Sequence, residues 1–307
     1  MKNLVLGIDI GGTHLRMGAV DVNGSLESFE KVSSAPLREG NGPENLVALI
    51  HDYLCRYAFE PGSVKAVSIS IPGTVRKDKE GCYSAPYLSG FARADLRSWL
   101  EKRLGIATLI DRDANFLLLS DIERSGTDLS GTEHEMLVGL YYGSAVANAF
   151  YLNGHFYDGA RGVAGEISHN QLYGLEERDV CGNTGCVGLR CGGKYLVRLA
   201  QECFPDIPFE EIFEKRGDTP ELRQFIQDMA IPITQIANIL DPAVIFIAGG
   251  VVDMRGFPQK QLDQAAREHM RHPLPADTAK LVFTHHSDRS GVLGAALYAH
   301  RQLGAAK

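Results

Sequence analysis

Long apolar runs are missing from this 307-residue chain. No stretch approaches the ~18–20 apolar residues that span a bilayer, so no membrane partner is expected. The first ten residues enter a strand that carries an acid. They hold no apolar core of signal-peptide length and no small-residue cleavage site, which sets the expectation of a cytoplasmic protein. Basic charge is also in short supply. Thirty-one Lys+Arg stand against 38 Asp+Glu, a formal charge of −7, and a mildly acidic chain lacks the surface that binds nucleic acid by releasing counterions. Cysteines number six. Cys55, Cys82 and Cys203 are scattered, which excludes a disulfide framework, whereas Cys181, Cys186 and Cys191 cluster as metal ligands do. What remains is an ordinary globular balance, 44% hydrophobic and 22% charged, long enough for roughly two domains.

The N-terminal third reads as a hairpin meander followed by a helix. Strands are expected at 4–10, 15–22 and 26–32, with Asn23-Gly24 as a two-residue turn because both residues tolerate positive φ. Pro43 opens a helix whose apolar positions Leu46, Leu49, Ile50, Tyr53, Leu54 and Tyr57 keep helical period. A buried strand at 64–71 ends in Pro72-Gly73, a helix covers 95–104 with Gly105 as C-cap, and a strand at 107–110 delivers Asp111-Arg112-Asp113-Ala114-Asn115. From residue 136 the pattern of strand, glycine turn, strand and Asn-Gly returns, with Asn153-Gly154 in the role of Asn23-Gly24, which predicts an internal duplication. A helix at 226–240, a strand at 243–248 ending in Gly249-Gly250, and a final helix at 292–303 follow. Segments 176–194 and 273–280 read as the least regular, and Trp99 reads as core.

Four constellations carry chemistry. Gly7-Ile8-Asp9-Ile10-Gly11-Gly12-Thr13 sets one carboxylate before a tight glycine turn, where bare backbone N–H groups approach phosphate and Asp9 would hold Mg²⁺ through water. A plain hairpin is the competing reading. The motif is not a Walker A loop, since no Gly-Lys-Ser/Thr follows, and not a dinucleotide fingerprint, since a strand follows. Asp113, where a strand ends and a helix begins, would accept a proton from an attacking hydroxyl; helix capping by Asp111 or Asp113 is the alternative. His169 with Cys181-Gly182-Asn183-Thr184-Gly185-Cys186 predicts a tetrahedral Zn²⁺ knuckle, its fourth ligand Asp179 or Cys191. Gly249 and Gly250 would let a nucleotide lie against the backbone, or form a simple strand-to-helix turn.

In this order the segments resemble the ROK family of sugar kinases, in the actin/hexokinase-like ATPase superfamily. The resemblance runs from Leu4 to about Ala299. It rests on 7–13, Pro72-Gly73, Asp113-Ala114-Asn115, 165–169, 181–186, Asp241-Pro242 with Gly249-Gly250, and Gly294-Ala295-Ala296. Arg112-Asp113, residues 250–254 and the position of Cys191 are most similar to the allose-kinase branch. The resemblance implies a duplicated α/β actin-like fold, related to ribonuclease H, with two lobes and a cleft between them. Residues 1–112 would form the N-terminal lobe, joined by the helix at about 291–305, and 113–290 the C-terminal lobe with the knuckle loop 165–191. It implies ATP-dependent phosphorylation of a hexose, Asp113 as base, and Gly11, Gly12, Thr13, Gly143 and Ser144 at the phosphates. Gly249 and Gly250 would border adenosine. Pro72, Gly73, Tyr87, Arg112, Glu166 and His169 would meet the sugar, and the chain would form a homodimer.

Some positions depart from that pattern. The first zinc cysteine of the family is Asp179 here, the sugar-loop Asn is Tyr87, and the Glu after the last zinc cysteine is Gly188. The second phosphate loop carries Ala145 and Ala147 in place of glycines, and backbone strain is expected there. These departures open a second reading, a catalytically weak or inactive homologue that senses a sugar. A repressor is disfavoured, because no helix-turn-helix precedes the first strand.

Overall fold

The computed structural model describes residues 3–305. The chain splits into two compact units. One comprises Met1–Ser125, Asp158–Ala164 and Ser287–Lys307; the other comprises Gly126–Tyr157 and Gly165–His286. The first unit thus runs past the boundary expected at 112 and takes in a short later segment.

In the first unit, β1 (Leu4–Ile10), β2 (His14–Val20) and β3 (Leu26–Ser33) form the antiparallel meander. Gly24 turns at φ 77°, and Asp21 Oδ1 accepts the N–H groups of Asn23 and Ser25 at 2.9 Å each, which closes the turn. Helix α1 (Gly42–Arg56) buries Leu46, Ile50 and Tyr53, the stripe that the helical period picks out. Strand β4 (Val64–Ile71) exposes only Lys65, as a central strand covered on both faces must. A small hairpin, β5 (Thr74–Val75) and β6 (Cys82–Ser84), precedes α2 (Leu96–Leu104), which ends at left-handed Gly105, φ 65°. Strand β7 (Ala107–Arg112) leads directly into α3 (Asp113–Arg124). The sheet order is β3-β2-β1-β4-β7, with β1, β4 and β7 parallel. Trp99 is half-buried and packs at the edge of the first unit's core, where the guanidinium groups of Arg93 and Arg103 lie 4.9 and 4.8 Å from its ring centre.

The second unit repeats the topology. Strands β8 (Leu137–Tyr142), β9 (Val146–Leu152) and β10 (His155–Phe156) are antiparallel, and Asn153 and Gly154 both take positive φ, 52° and 79°. Helices α4 (Gly188–Cys191), α5 (Gly193–Cys203), α6 (Ile212–Arg216) and α7 (Pro220–Leu240) precede β11 (Val244–Ala248), α8 (Gln259–His269) and β12 (Leu281–Phe283). The order β10-β9-β8-β11-β12 matches the first sheet strand for strand, including parallel pairing of β8 with β11 and β11 with β12. The segment expected to be irregular at 176–194 therefore ends in helix. Helix α7 begins six residues before 226, with Pro220 in its first turn and Leu222 and Phe225 extending its buried stripe.

Helix α9 (Ser290–Ala305) belongs to the first unit and packs on α3, β1 and β4. Its small residues permit close approach. A methyl group on Gly294 would run into the Phe116 carbonyl oxygen on α3. This contact is one reason that α3 groups with the first unit. Gly294→Ala should lower stability by about 1–3 kcal/mol in urea unfolding. Gly304→Ala, where nothing lies within 4 Å of the added carbon, should leave it almost unchanged. Among the described residues, no helix is long and apolar enough to cross a membrane.

Candidate functional site

Ligands of open α/β sheets sit beyond the C-terminal ends of the parallel strands. In the first unit those ends present Asp9 with the 11–13 turn from β1, Pro72-Gly73 from β4, and Arg112-Asp113 from β7. Asp9 Oδ1 accepts the Ser70 hydroxyl at 2.8 Å, and its Oδ2 lies 3.4 Å from Arg16 Nη1. Arg16 is also held by Asp288 at 2.8 Å. Asp9 keeps a fifth of its side chain in solvent, so its carboxylate suits a hard, hydrated cation such as Mg²⁺. Gly11 N–H donates to the His14 carbonyl at 2.9 Å, and open space surrounds the position of a Gly12 Cβ. That leaves room for a phosphate against the backbone. Gly73 is pressed against the Ser84 carbonyl, and Tyr87 is exposed.

Neither aspartate of the 111–115 segment is the N-cap of α3. Arg112 occupies that position in extended conformation without a side-chain cap bond. Asp113 is the first helical residue, half-exposed, at the positive end of the helix dipole. Its Oδ1 accepts the Ala114 N–H at 2.8 Å, which restricts the carboxylate's rotation. Arg112 is 7% exposed, and its guanidinium donates to the Ala164 carbonyl. It braces the segment that leads into Gly165-Glu166.

In the second unit, Gly143-Ser144 follows β8 and Gly249-Gly250 follows β11. Gly249 has φ 112°, and a Cβ there would lie 2.6 Å from the Tyr142 carbonyl oxygen, so the two glycine turns adjoin. The first residues of α5 lie on the same turn: Gly193 N–H reaches the Gly143 carbonyl at 2.8 Å and Lys194 N–H the Ser144 carbonyl at 3.0 Å. The strain expected at Ala145 and Ala147 is absent. Neither is among the residues with positive φ, and Ala147 lies within β9. The turn closes through Gly143 N–H on the Ala145 carbonyl, 2.9 Å, a geometry that needs no left-handed residue.

The knuckle assembles around His169, which ends a short helical turn at Ile167–His169. Its Nδ1 lies 2.9 Å from Asp179 Oδ2, the sulfurs of Cys181 and Cys186 are 3.6 Å apart, and the four donor atoms all lie within 4.8 Å of one another. Tetrahedral bonds of ~2.0–2.3 Å separate ligands by comparable spans, so the set fits Zn²⁺. Positive φ at Gly182 and Gly185, 92° and 81°, curls the loop back on itself. Burial pushes the Cys186 thiol up to about 12, and neighbouring Asp179 and Cys181 add to the shift. Burial opposes charge on Asp179 as well. Hydrogen bonds from both thiols and the Val180 N–H outweigh it, and they hold this carboxyl below its ordinary range. Cys191 stands outside this group of four donors, and its thiol donates to the Val187 carbonyl at 3.2 Å, so Asp179 is the fourth member. The other edge of the His169 ring faces Glu166, Nε2 to Oε2 3.9 Å, so one imidazole joins knuckle and carboxylate.

Three contributors escape sequence reasoning. Asn148, fully buried on β9, accepts the Ile167 N–H at 3.2 Å and pins the turn that carries His169. Ser168 explains Gly188: a Cβ at 188 would come within 3.0 Å of the Ser168 hydroxyl, so the serine occupies the space a longer side chain would need. Lys79 reaches Asp111 and Asp158 at 2.8 and 2.9 Å from the turn between β5 and β6. No spacing rule marks any of them.

The sequence profile of the ROK family matches residues 5–302. An N-acetyl-D-glucosamine kinase of Salmonella paratyphi C (strain RKS4594) is 27% identical over 313 residues, covering 94% of this chain and 97% of that protein. A ROK family glucokinase from Streptomyces griseus, solved with glucose and AMPPNP, shares the fold at TM-score 0.78 and 23% identity, over 97% of this chain and 99% of that one. A ROK family transcriptional regulator, homologous to the E. coli MLC protein, superposes at TM-score 0.80 and 20% identity, over 97% of this chain and 78% of that one.

Proposed function

The chain belongs to the ROK family, and from that membership we propose that it is a carbohydrate kinase, transferring the γ-phosphoryl group of ATP to a hydroxyl of a hexose or amino-hexose. The observation that carries this reading is the grouping of Asp9 with the 11–13 turn, Pro72-Gly73 and Asp113 at the ends of three adjacent parallel strands, β1, β4 and β7. The sugar oxygen attacks the γ-phosphorus and the bond from that phosphorus to the β,γ-bridging oxygen breaks. ADP leaves, and the hydroxyl proton passes to Asp113. The N–H groups of Gly12 and Thr13 in the first unit and of Ser144 in the second suit phosphate oxygens, while those of Gly11 and Gly143 close the turns on the His14 and Ala145 carbonyls; Gly249 with Gly250 offers backbone to adenosine. Glu166 and His169 in the second unit, and Pro72, Gly73, Tyr87 and Arg112 in the first, would each meet sugar hydroxyls. Asp9 would hold Mg²⁺, which when bound neutralises charge on the transferring group. His169, Asp179, Cys181 and Cys186 would hold Zn²⁺, stiffening the loop that carries the imidazole.

The relatives support a hexose or an N-acyl hexosamine as substrate, since one acts on N-acetyl-D-glucosamine and another was solved with glucose. Allose rests only on the resemblance at Arg112-Asp113, residues 250–254 and Cys191, and none of the relatives above is named for it. The test is a coupled ADP-release screen over glucose, allose, N-acetylglucosamine and N-acetylmannosamine. At least one sugar should turn over with ATP and Mg²⁺. No ADP with any sugar, joined to no ATP binding in calorimetry, would reject the kinase in favour of the sensor.

A further inference from the structure

We propose that Lys79 is a positioning residue for this chemistry: its ammonium, lodged between Asp111 and Asp158, sets the strand-to-helix junction from which Asp113 projects. The inference rests on the reading of Asp113 as the base. Lys79 Nζ lies 2.8 Å from Asp111 Oδ1 and 2.9 Å from Asp158 Oδ2. The Asp111 side chain is wholly buried and that of Asp158 is 16% exposed. The same Asp111 Oδ1 accepts the Arg112 N–H at 2.7 Å and Asn115 Nδ2 at 2.9 Å. One oxygen therefore grips the last residue of β7 and the first turn of α3, with residue 113 between the two holds. Asp111 Oδ2, also buried, has no hydrogen-bond partner among the described residues, so the grip runs through Oδ1.

Two further observations bear on the role. Lys79 closes a tight turn, its N–H on the Arg76 carbonyl at 2.9 Å, with φ 55°. Glycine adopts that conformation without steric cost, yet a long cation stands there and reaches two carboxylates. Burial pushes Asp111 above the ordinary carboxyl range, and Lys79 is the largest opposing influence. Without the ammonium the buried Oδ1 loses a charge-assisted hydrogen bond and its counter-charge, and the junction loosens. Asp158 also opens the segment whose last carbonyl, that of Ala164, accepts from Arg112. The cation thus ties β7 to the chain entering Gly165-Glu166.

Steady-state kinetics and hydrogen–deuterium exchange of Lys79→Met and Lys79→Arg test this, with Lys79→Gln in place of the methionine variant should that chain not fold. Lys79→Met should lower kcat by roughly 10²-fold, the scale of a misplaced reacting group, with little change in either KM. Faster exchange should be confined to residues 109–118, and Lys79→Arg should restore most of the rate. An unchanged kcat overturns the proposal. So does a loss of kcat with raised KM and faster exchange throughout the first unit, which would mark a merely structural cation. If the wild-type chain turns over no sugar, the kinase reading fails separately. The exchange of 109–118 then decides alone: faster in Lys79→Met supports the hold on the junction, unaltered removes it.

Discussion

Asp113→Asn should lower turnover by roughly 10²–10⁴-fold, the usual contribution of a positioned general base, in a chain that folds as before. The amide has nearly the shape of the carboxylate and keeps an oxygen for the Ala114 N–H, so the contact at 2.8 Å survives. It cannot take up the proton of the attacking hydroxyl. The structural loss includes the attraction between a negative side chain and the N-terminus of α3, about 0.3–1 kcal/mol. ATP affinity, read by calorimetry, should change little, because the glycine turns are untouched. Thermal unfolding should shift by a few degrees at most. Turnover near the wild-type rate would remove Asp113 from the chemistry and with it the proposed mechanism.

Purified protein should carry about one zinc per chain, and Cys186→Ser should lose it. Cys186 is the buried member of the four donors, so its loss leaves a site open to solvent with one carboxylate, one imidazole and a single thiolate. Unfolding temperature should fall, since a structural metal couples its binding energy to the fold. The sugar KM should rise, because the imidazole that faces Glu166 at 3.9 Å would no longer be fixed on its other side. Asp179→Cys should hold zinc more tightly against a chelator, a thiolate being the better zinc ligand. Occupancy should fall as pH is lowered, since protons compete with the metal for the Cys186 sulfur, whose affinity for a proton is already raised by burial. Elemental analysis that finds no zinc in protein prepared without chelator would dismiss the knuckle.

Much of the fold was legible along the chain. Strand β4 stands at the predicted 64–71 because a short segment rich in Val and Ile, interrupted only by Lys65, Ser68 and Ser70 and closed by Pro-Gly, has few alternatives. The second Asn-Gly turn and the repeated glycine turn predicted a duplicated topology, and the two sheets share their strand order. The site was less legible. Spacing left Asp179 and Cys191 equal as fourth ligand, and only the placement of Cys191 inside α4 separated them. The alanines of the second phosphate turn suggested strain because glycine usually signals positive φ, but this turn closes without it. The boundary at 112 failed because helix–helix packing, and not chain continuity, decides which unit owns α3.

Read on its own, the order of residues settled what local backbone chemistry governs: which segments are extended or helical, where the chain turns, and which carboxylate stands at the end of which strand. Convergence was left to tertiary structure. Lys79 meets Asp158 across 79 positions of sequence, and Asn148 finds Ile167 across 19. Such meetings follow from strand pairing and helix packing, whose energies depend on the whole folded chain and leave no periodic trace in the segments they join.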